Sequence, residues 1–309
     1  MKKTNILFSL ALCASSIYAQ DLTSKKGEPI LPEANDWAIS MDANPVFNFI
    51  GNAFNGNVAN AAPGVGWLNG NQTIIGKKFI DEKSAYRALV RLGFNAITNK
   101  NLVIDDAIVT QPVFPAPAAE KQDELSRKST LIGIGAGKEF RRGKTRLQGY
   151  YGADAMLWLN MSSEKYTYGN TMTAVAASGV TPTPTSTTWD TNTGAVISEG
   201  ATVSRSRILS SKSGMTFGLG VRGFIGAEYF ILPKISIGAE YGWGIGFQTS
   251  AKSKSTVEEN DGVIVAEIET VTASGNSKFG FDTDLNQGTV FGFKGSNTGT
   301  ASLRATFHF

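Results

Sequence analysis

From Tyr86 the chain alternates with a period of two residues. Tyr86, Ala88, Val90, Leu92 and Phe94 share one face, and Arg87, Leu89, Arg91, Gly93 and Asn95 share the other. Such alternation predicts a strand with two unlike faces. Four further segments repeat it. Leu147, Tyr151, Ala153, Ala155 and Leu157 oppose Gln148, Tyr150, Gly152, Asp154 and Met156. Phe217, Leu219, Val221, Ile225, Ala227 and Tyr229 oppose Gly218, Gly220, Arg222, Phe224, Gly226 and Glu228. Ile235, Ile237, Ala239, Tyr241, Trp243, Ile245 and Phe247 oppose Ser236, Gly238, Glu240, Gly242, Gly244 and Gly246. Ala301, Leu303, Ala305, Phe307 and Phe309 oppose Ser302, Arg304, Thr306 and His308.

A soluble sandwich would place the apolar face inside. Two features favour a barrel with that face on lipid. Aromatics lie near the strand ends, as a membrane girdle requires. The polar faces are glycine-rich, which suits a narrow, crowded lumen. Connections supply a third sign. Short ones (Asp81 to Lys83, Arg141 to Lys144, Leu232 to Lys234) alternate with long ones near 51–71, 98–127, 160–212 and 251–299. That asymmetry predicts short periplasmic turns and four long extracellular loops. The expected fold is an all-β, eight-stranded antiparallel transmembrane β-barrel over residues 36–309, with strands at 36–50, 72–80, 84–97, 128–140, 145–159, 213–231, 235–250 and 300–309. The third loop is expected to be mobile at its tip, around Thr181 to Thr185. The fourth is expected to hold a hairpin from Gly262 to Val271 and Lys278 to Phe281.

The N-terminus changes the picture from fold to destination. Lys2 and Lys3, an apolar run from Ile6 to Cys13 and small residues to Ala19 predict a signal peptide over 1–19, followed by a periplasmic lead-in over 20–35. Cys13 is the sole cysteine, and Leu12 before it argues against a lipoprotein site. Removal of Lys2 and Lys3 takes the net charge from +3 to +1, too balanced for a nucleic-acid partner. The expected partners are outer-membrane lipid, the outer-membrane assembly machinery and, through the long loops, another outer-membrane or surface protein.

Several runs resemble small porin-like outer-membrane β-barrel proteins of the Bacteroidota. They are Asp21 to Glu28, Asp36 to Ile39, Asn44-Pro45, Asn69 to Ile74, Arg141 to Gly152 and Phe281 to Asp284. The resemblance implies the barrel fold and the outer membrane, and it reads Phe307 and Phe309 as the terminal assembly signal. It brings no catalytic residues.

Inward charges are the candidate chemistry: Arg87, Arg91, Asp154, Arg222, Glu228, Glu240 and Arg304, with Asp42 beside them. An eight-stranded lumen holds side chains and little else, so these ions are expected to pair and plug it. The alternatives are a narrow porin-like path for ions or small solutes, and a surface adhesin. Asp282, Asp284, Asn286 and Gly288 have oxygen-ligand spacing for calcium. However, Gln287 and Phe293 break the EF-hand pattern, so a turn is expected instead. His308, the only histidine, sits at the periplasmic end of the last strand. No histidine base is therefore placed to activate a loop serine, and neither an enzyme nor a cofactor is expected. Trp67 and Trp189 are candidate loop contacts, either exposed to a partner, packed within their own loops or placed at the membrane interface.

Overall fold

The computed structural model describes residues 22–56, 60, 73–108, 110–174, 184–201, 205–282 and 302–309. Eight strands carry the architecture: β1 (Trp37–Asp42), β2 (Ile74–Asp81), β3 (Ser84–Ile104), β4 (Glu120–Arg142), β5 (Leu147–Thr167), β9 (Thr216–Leu232), β10 (Ile235–Ser250) and β14 (Ser302–His308). Each pairs antiparallel with the next, and β14 pairs back to β1, which closes a ring. A ladder row leaving β10 at Ser236 runs through Thr306, Ser40, Ile75, Leu89, Gly135, Met156 and Gly220, and returns to β10 at Gly246, ten residues further on. With ~3.3 Å per residue and ~4.8 Å between strands, that stagger tilts the strands about 40° and gives a ring radius of about 8 Å.

Six more strands lie at the ends away from the short turns: β6 (Thr185–Trp189), β7 (Val196–Ala201), β8 (Ser206–Lys212), β11 (Ser253–Asn260), β12 (Val265–Ala273) and β13 (Asn276–Asp282). The fourteen strands among the described residues thus exceed the eight expected. Residues 98–104, 120–127 and 160–167, expected as loop, continue β3, β4 and β5. In the fourth connection β11 pairs with β12, whereas Lys278 to Phe281 belongs to β13, which pairs with β10 rather than with the expected hairpin partner. The first expected strand, 36–50, stops at Asp42, and Asn44–Phe54 forms helix α1. Asn44-Pro45 causes the switch. Proline has no N–H for a ladder, and its fixed φ fits a first helical turn. Helix α1 leaves the wall beside β14, where the Ala43 N–H donates to the Leu303 carbonyl at 2.9 Å.

The two faces of the ring are inverted relative to a soluble protein. Outside, Leu92 is 64% exposed, Ile134 51%, Val221 52% and Ile225 51%. Inside, Arg222, Glu139 and Asp154 are 0% exposed. Aromatics gather at the short-turn rim of the outer face. Phe140 stacks on Tyr151, Lys78 lies over Trp37, and Lys138 lies over Tyr86 and Phe140. No described helix is long and apolar enough to cross a membrane. Residues 1–19, expected as a signal peptide, lie outside the described residues.

Candidate functional site

The site is the charged interior of the ring. Alternation sends Arg87 from β3, Asp154 from β5, Arg222 from β9 and Glu240 from β10 to the same space. Glu240 is the hub. It accepts from Arg87 Nη1 and Nη2 at 2.9 and 3.3 Å and from Arg222 Nη2 at 2.6 Å, and Arg304 Nε lies 3.9 Å away. Asp154 accepts from Arg222 at 3.2 Å and faces Arg87 Nε at 3.4 Å.

Three members lie beyond those expected from the sequence: Lys77, Glu139 and Arg141. Glu139 pairs with Lys77 at 2.8 Å, Arg87 at 3.2 Å and Arg141 at 2.8 Å. Arg141 also pairs with Glu228. Expected in the short turn, Arg141 instead belongs to the end of β4 and is 2% exposed. The inward parity of Gly133, Gly135 and Gly137, carried two steps further, reaches both Glu139 and Arg141. Lys77 is harder to read, because Lys78 beside it puts charge on both faces of β2.

Of the expected network, Arg87, Asp154, Arg222, Glu228, Glu240 and Arg304 come together. Arg91 is buried but joins none of the ion pairs among the described residues. Asp42 lies opposite Arg304 in the β1–β14 ladder and brings a fifth carboxylate to the same wall.

The glycines of the inward face are the counterpart of these large side chains. A Cβ on Gly242 would collide with the Arg222 guanidinium, and one on Gly218 with the Trp158 indole. The missing side chains make the room in which the ions and rings pack.

Apolar layers bound the charges on both sides. Toward the long-loop end lie Ile75, Leu89, Met156 and Trp158. Toward the short-turn end lie Phe79, Phe230 and His308, with the imidazole 5.5 and 5.1 Å from the two phenyl rings. His308 is buried and faces Ser236 Oγ at 3.4 Å. Arg87 stacks on Phe224 at 3.8 Å. Water removal of this kind costs several kcal/mol per ion unless each charge meets an opposite one, and here Arg87, Glu139 and Glu240 each meet three opposite charges. Phe307 and Phe309 point outward, 43% and 66% exposed.

Above the ring the β6–β7 hairpin lies on the inner face of the prolonged β3–β5 wall. Asn101 donates to Thr187 Oγ1 at 3.1 Å, and Arg127 donates to the carbonyls of Asn192 and Thr191 at 3.0 and 2.9 Å. Trp189 is buried against Leu125 of β4 and Tyr166 of β5, so it packs on the prolonged wall rather than standing exposed to a partner. The tip aspartates are fixed by the backbone. N–H donors of Thr193 and Asn192 hold the Asp190 carboxyl below its ordinary range, and those of Ile264 and Val263 do so for Asp261.

Asp123 anchors the hairpin, accepting from the Gly169 and Thr187 N–H groups at 2.8 and 2.7 Å. Asp123→Ala would leave two donors unpaired, an expected cost of about 1–3 kcal/mol. Limited proteolysis should then cut segment 184–201 faster. An unchanged rate would mean that other contacts hold the hairpin.

Two cavities flank this region, about 730 Å³ between β5 and β8 and about 220 Å³ beneath Trp189. Trp67, Cys13 and the candidate calcium ligands Asp284, Asn286 and Gly288 lie outside the described residues, and Asp282 ends β13.

No family model matches the sequence, and no curated protein does. Two solved structures are similar to it. The outer membrane protein OprG from Pseudomonas aeruginosa has a TM-score of 0.27 and 7% identity, over 90% of this chain and 98% of its own. A major outer membrane protein from Thermus thermophilus has a TM-score of 0.26 and 11% identity, over 89% of this chain and 100% of its own.

Proposed function

We propose that the chain is an integral outer-membrane β-barrel with a structural or interaction role. The closed ring anchors it, the ion network plugs the lumen, and the prolonged strands and hairpins stand outside the cell. One observation carries this reading: the ring is inside out, with Arg222 at 0% and Glu240 at 1% exposure within, and Val90 at 40% and Leu92 at 64% outside. Soluble monomers seldom expose apolar patches beyond a few hundred Å². A closed ladder also leaves no unpaired backbone for lipid to meet. The resemblance of its sequence runs to small outer-membrane barrels of the Bacteroidota points the same way.

The long loops are the natural partner surface, toward the medium or toward a neighbouring membrane protein. Phe307 and Phe309 fit a terminal signal for the assembly machinery, since both side chains remain open on the outer face.

Planar-bilayer recording tests the plug. The folded protein should give no conductance steps, because apolar layers close both sides of the charge cluster. Regular steps would move the chain to the class of narrow channels.

A further inference from the structure

Above the apolar belt the outer face of the wall changes chemistry. On β4, Lys128 lies twelve residues beyond Phe140 on the same face. At a tilt of about 40° that places it about 30 Å above the aromatic rim, just past a hydrocarbon band of about 25 Å. Two ladder rows continue across the wall from here. One runs Lys128, Ser163, Lys212 and the other Ser126, Lys165, Ser210. All three lysines are exposed.

The β5–β8 pairing spans only three residue pairs, and beyond it the strands part. The gap is the cavity of about 730 Å³, lined by all six of these residues. Its other charges are largely committed. Arg207 pairs with Glu258 at 2.6 Å, and Arg127 pairs with Glu164 at 3.1 Å. Lys128, Lys165 and Lys212 make no ion pair with a described residue. Glu267 is the one lining carboxylate outside such a pair. The cleft therefore offers a surplus of ammonium groups, interleaved with hydroxyls, at the upper edge of a lipid-facing surface.

We infer that this cleft seats the phosphorylated sugar headgroup of an outer-leaflet glycolipid. Phosphates lie against Lys128, Lys165 and Lys212, sugar hydroxyls bond to the serines, and acyl chains descend over Ile132, Leu157 and Phe217. Charge complementarity and continuity with the apolar belt both point to a lipid rather than a soluble anion. The inference rests on the outer-membrane reading above and adds a ligand to it.

The test uses the full chain refolded into detergent micelles, with folding followed by heat-sensitive gel mobility. Diphosphorylated disaccharide lipid (lipid A) is titrated in, and bound lipid is counted by native mass spectrometry. The dephosphorylated lipid and glucosamine 6-phosphate are run alongside. Wild type should retain the diphosphorylated lipid at least tenfold more tightly than either. With about fivefold per lysine, K128Q/K165Q/K212Q should lose roughly 100-fold in affinity. K78Q/K138Q, on the opposite rim, should bind as wild type does. If the triple variant does not fold, K128Q and K165Q singly should each lose about fivefold.

Unchanged binding by the lysine variants, or equal binding of dephosphorylated lipid, overturns the inference. Equal binding of the soluble sugar phosphate overturns the lipid source. A chain that folds in micelles yet binds no lipid loses only this inference. A chain that stays soluble and folded without detergent loses the membrane reading itself.

Discussion

Glu240→Ala should destabilise the folded protein by about 3–5 kcal/mol, because it strands buried cations rather than merely removing contacts. Arg87, Arg222 and Arg304 all turn toward this carboxylate, and Arg87 and Arg222 donate to it directly. Urea unfolding in micelles, followed by gel mobility and tryptophan fluorescence, would read the loss. The double variant Glu240→Met with Arg222→Met removes one cation together with its partner and fills the space. It should cost clearly less than the sum of the single changes. A Glu240→Ala cost within about 0.5 kcal/mol, the range of an ordinary surface change, would show that the interior is wet and the ions screened.

The second large effect belongs to the outer wall. Val221 sits mid-belt on β9, opposite Ala155 and Ile245, and is 52% exposed. In water an exposed valine tolerates Val221→Arg within about 0.5 kcal/mol. In hydrocarbon the same change should cost about 2–4 kcal/mol. Reversible folding into lipid vesicles separates the two. A negligible cost would place solvent against the belt and return the ring to a soluble fold. The two substitutions act on opposite faces of neighbouring strands, so their outcomes are independent.

The parts legible in the sequence are those where one face is uniformly apolar. Along β5, β9 and β10 the alternation separates the same two faces as the ring does, with Asp154, Arg222, Glu228 and Glu240 on the inner one. The signal fades where the wall leaves the belt. Thr98, Asn99, Lys100 and Asn101 are polar on both faces, so period two carries no contrast and β3 reads as loop, although its ladder to β4 continues to Ile104. It fails again at Asn44-Pro45, where a local preference for a helical turn overrides a run that otherwise resembles a strand. Glu139 and Arg141 are missed for a different reason. Charge next to a tight turn is the usual mark of a solvated end, and only the closure of the ring puts these two inside. The anchoring of the β6–β7 hairpin by Asp123 and Arg127 depends on partners 46 to 65 residues away, which spacing alone does not reveal.

The ion cluster draws on at least seven of the eight ring strands, from Lys77 on β2 to Arg304 on β14. Strands β2 to β4 bring three cations, Lys77, Arg87 and Arg141, against one carboxylate, Glu139, while Glu228 and Glu240 arrive with the last hairpin. A partly threaded intermediate would thus drag naked charge through fat. In the membrane reading proposed above, insertion and closure would advance together, with β14 latching β10 to β1.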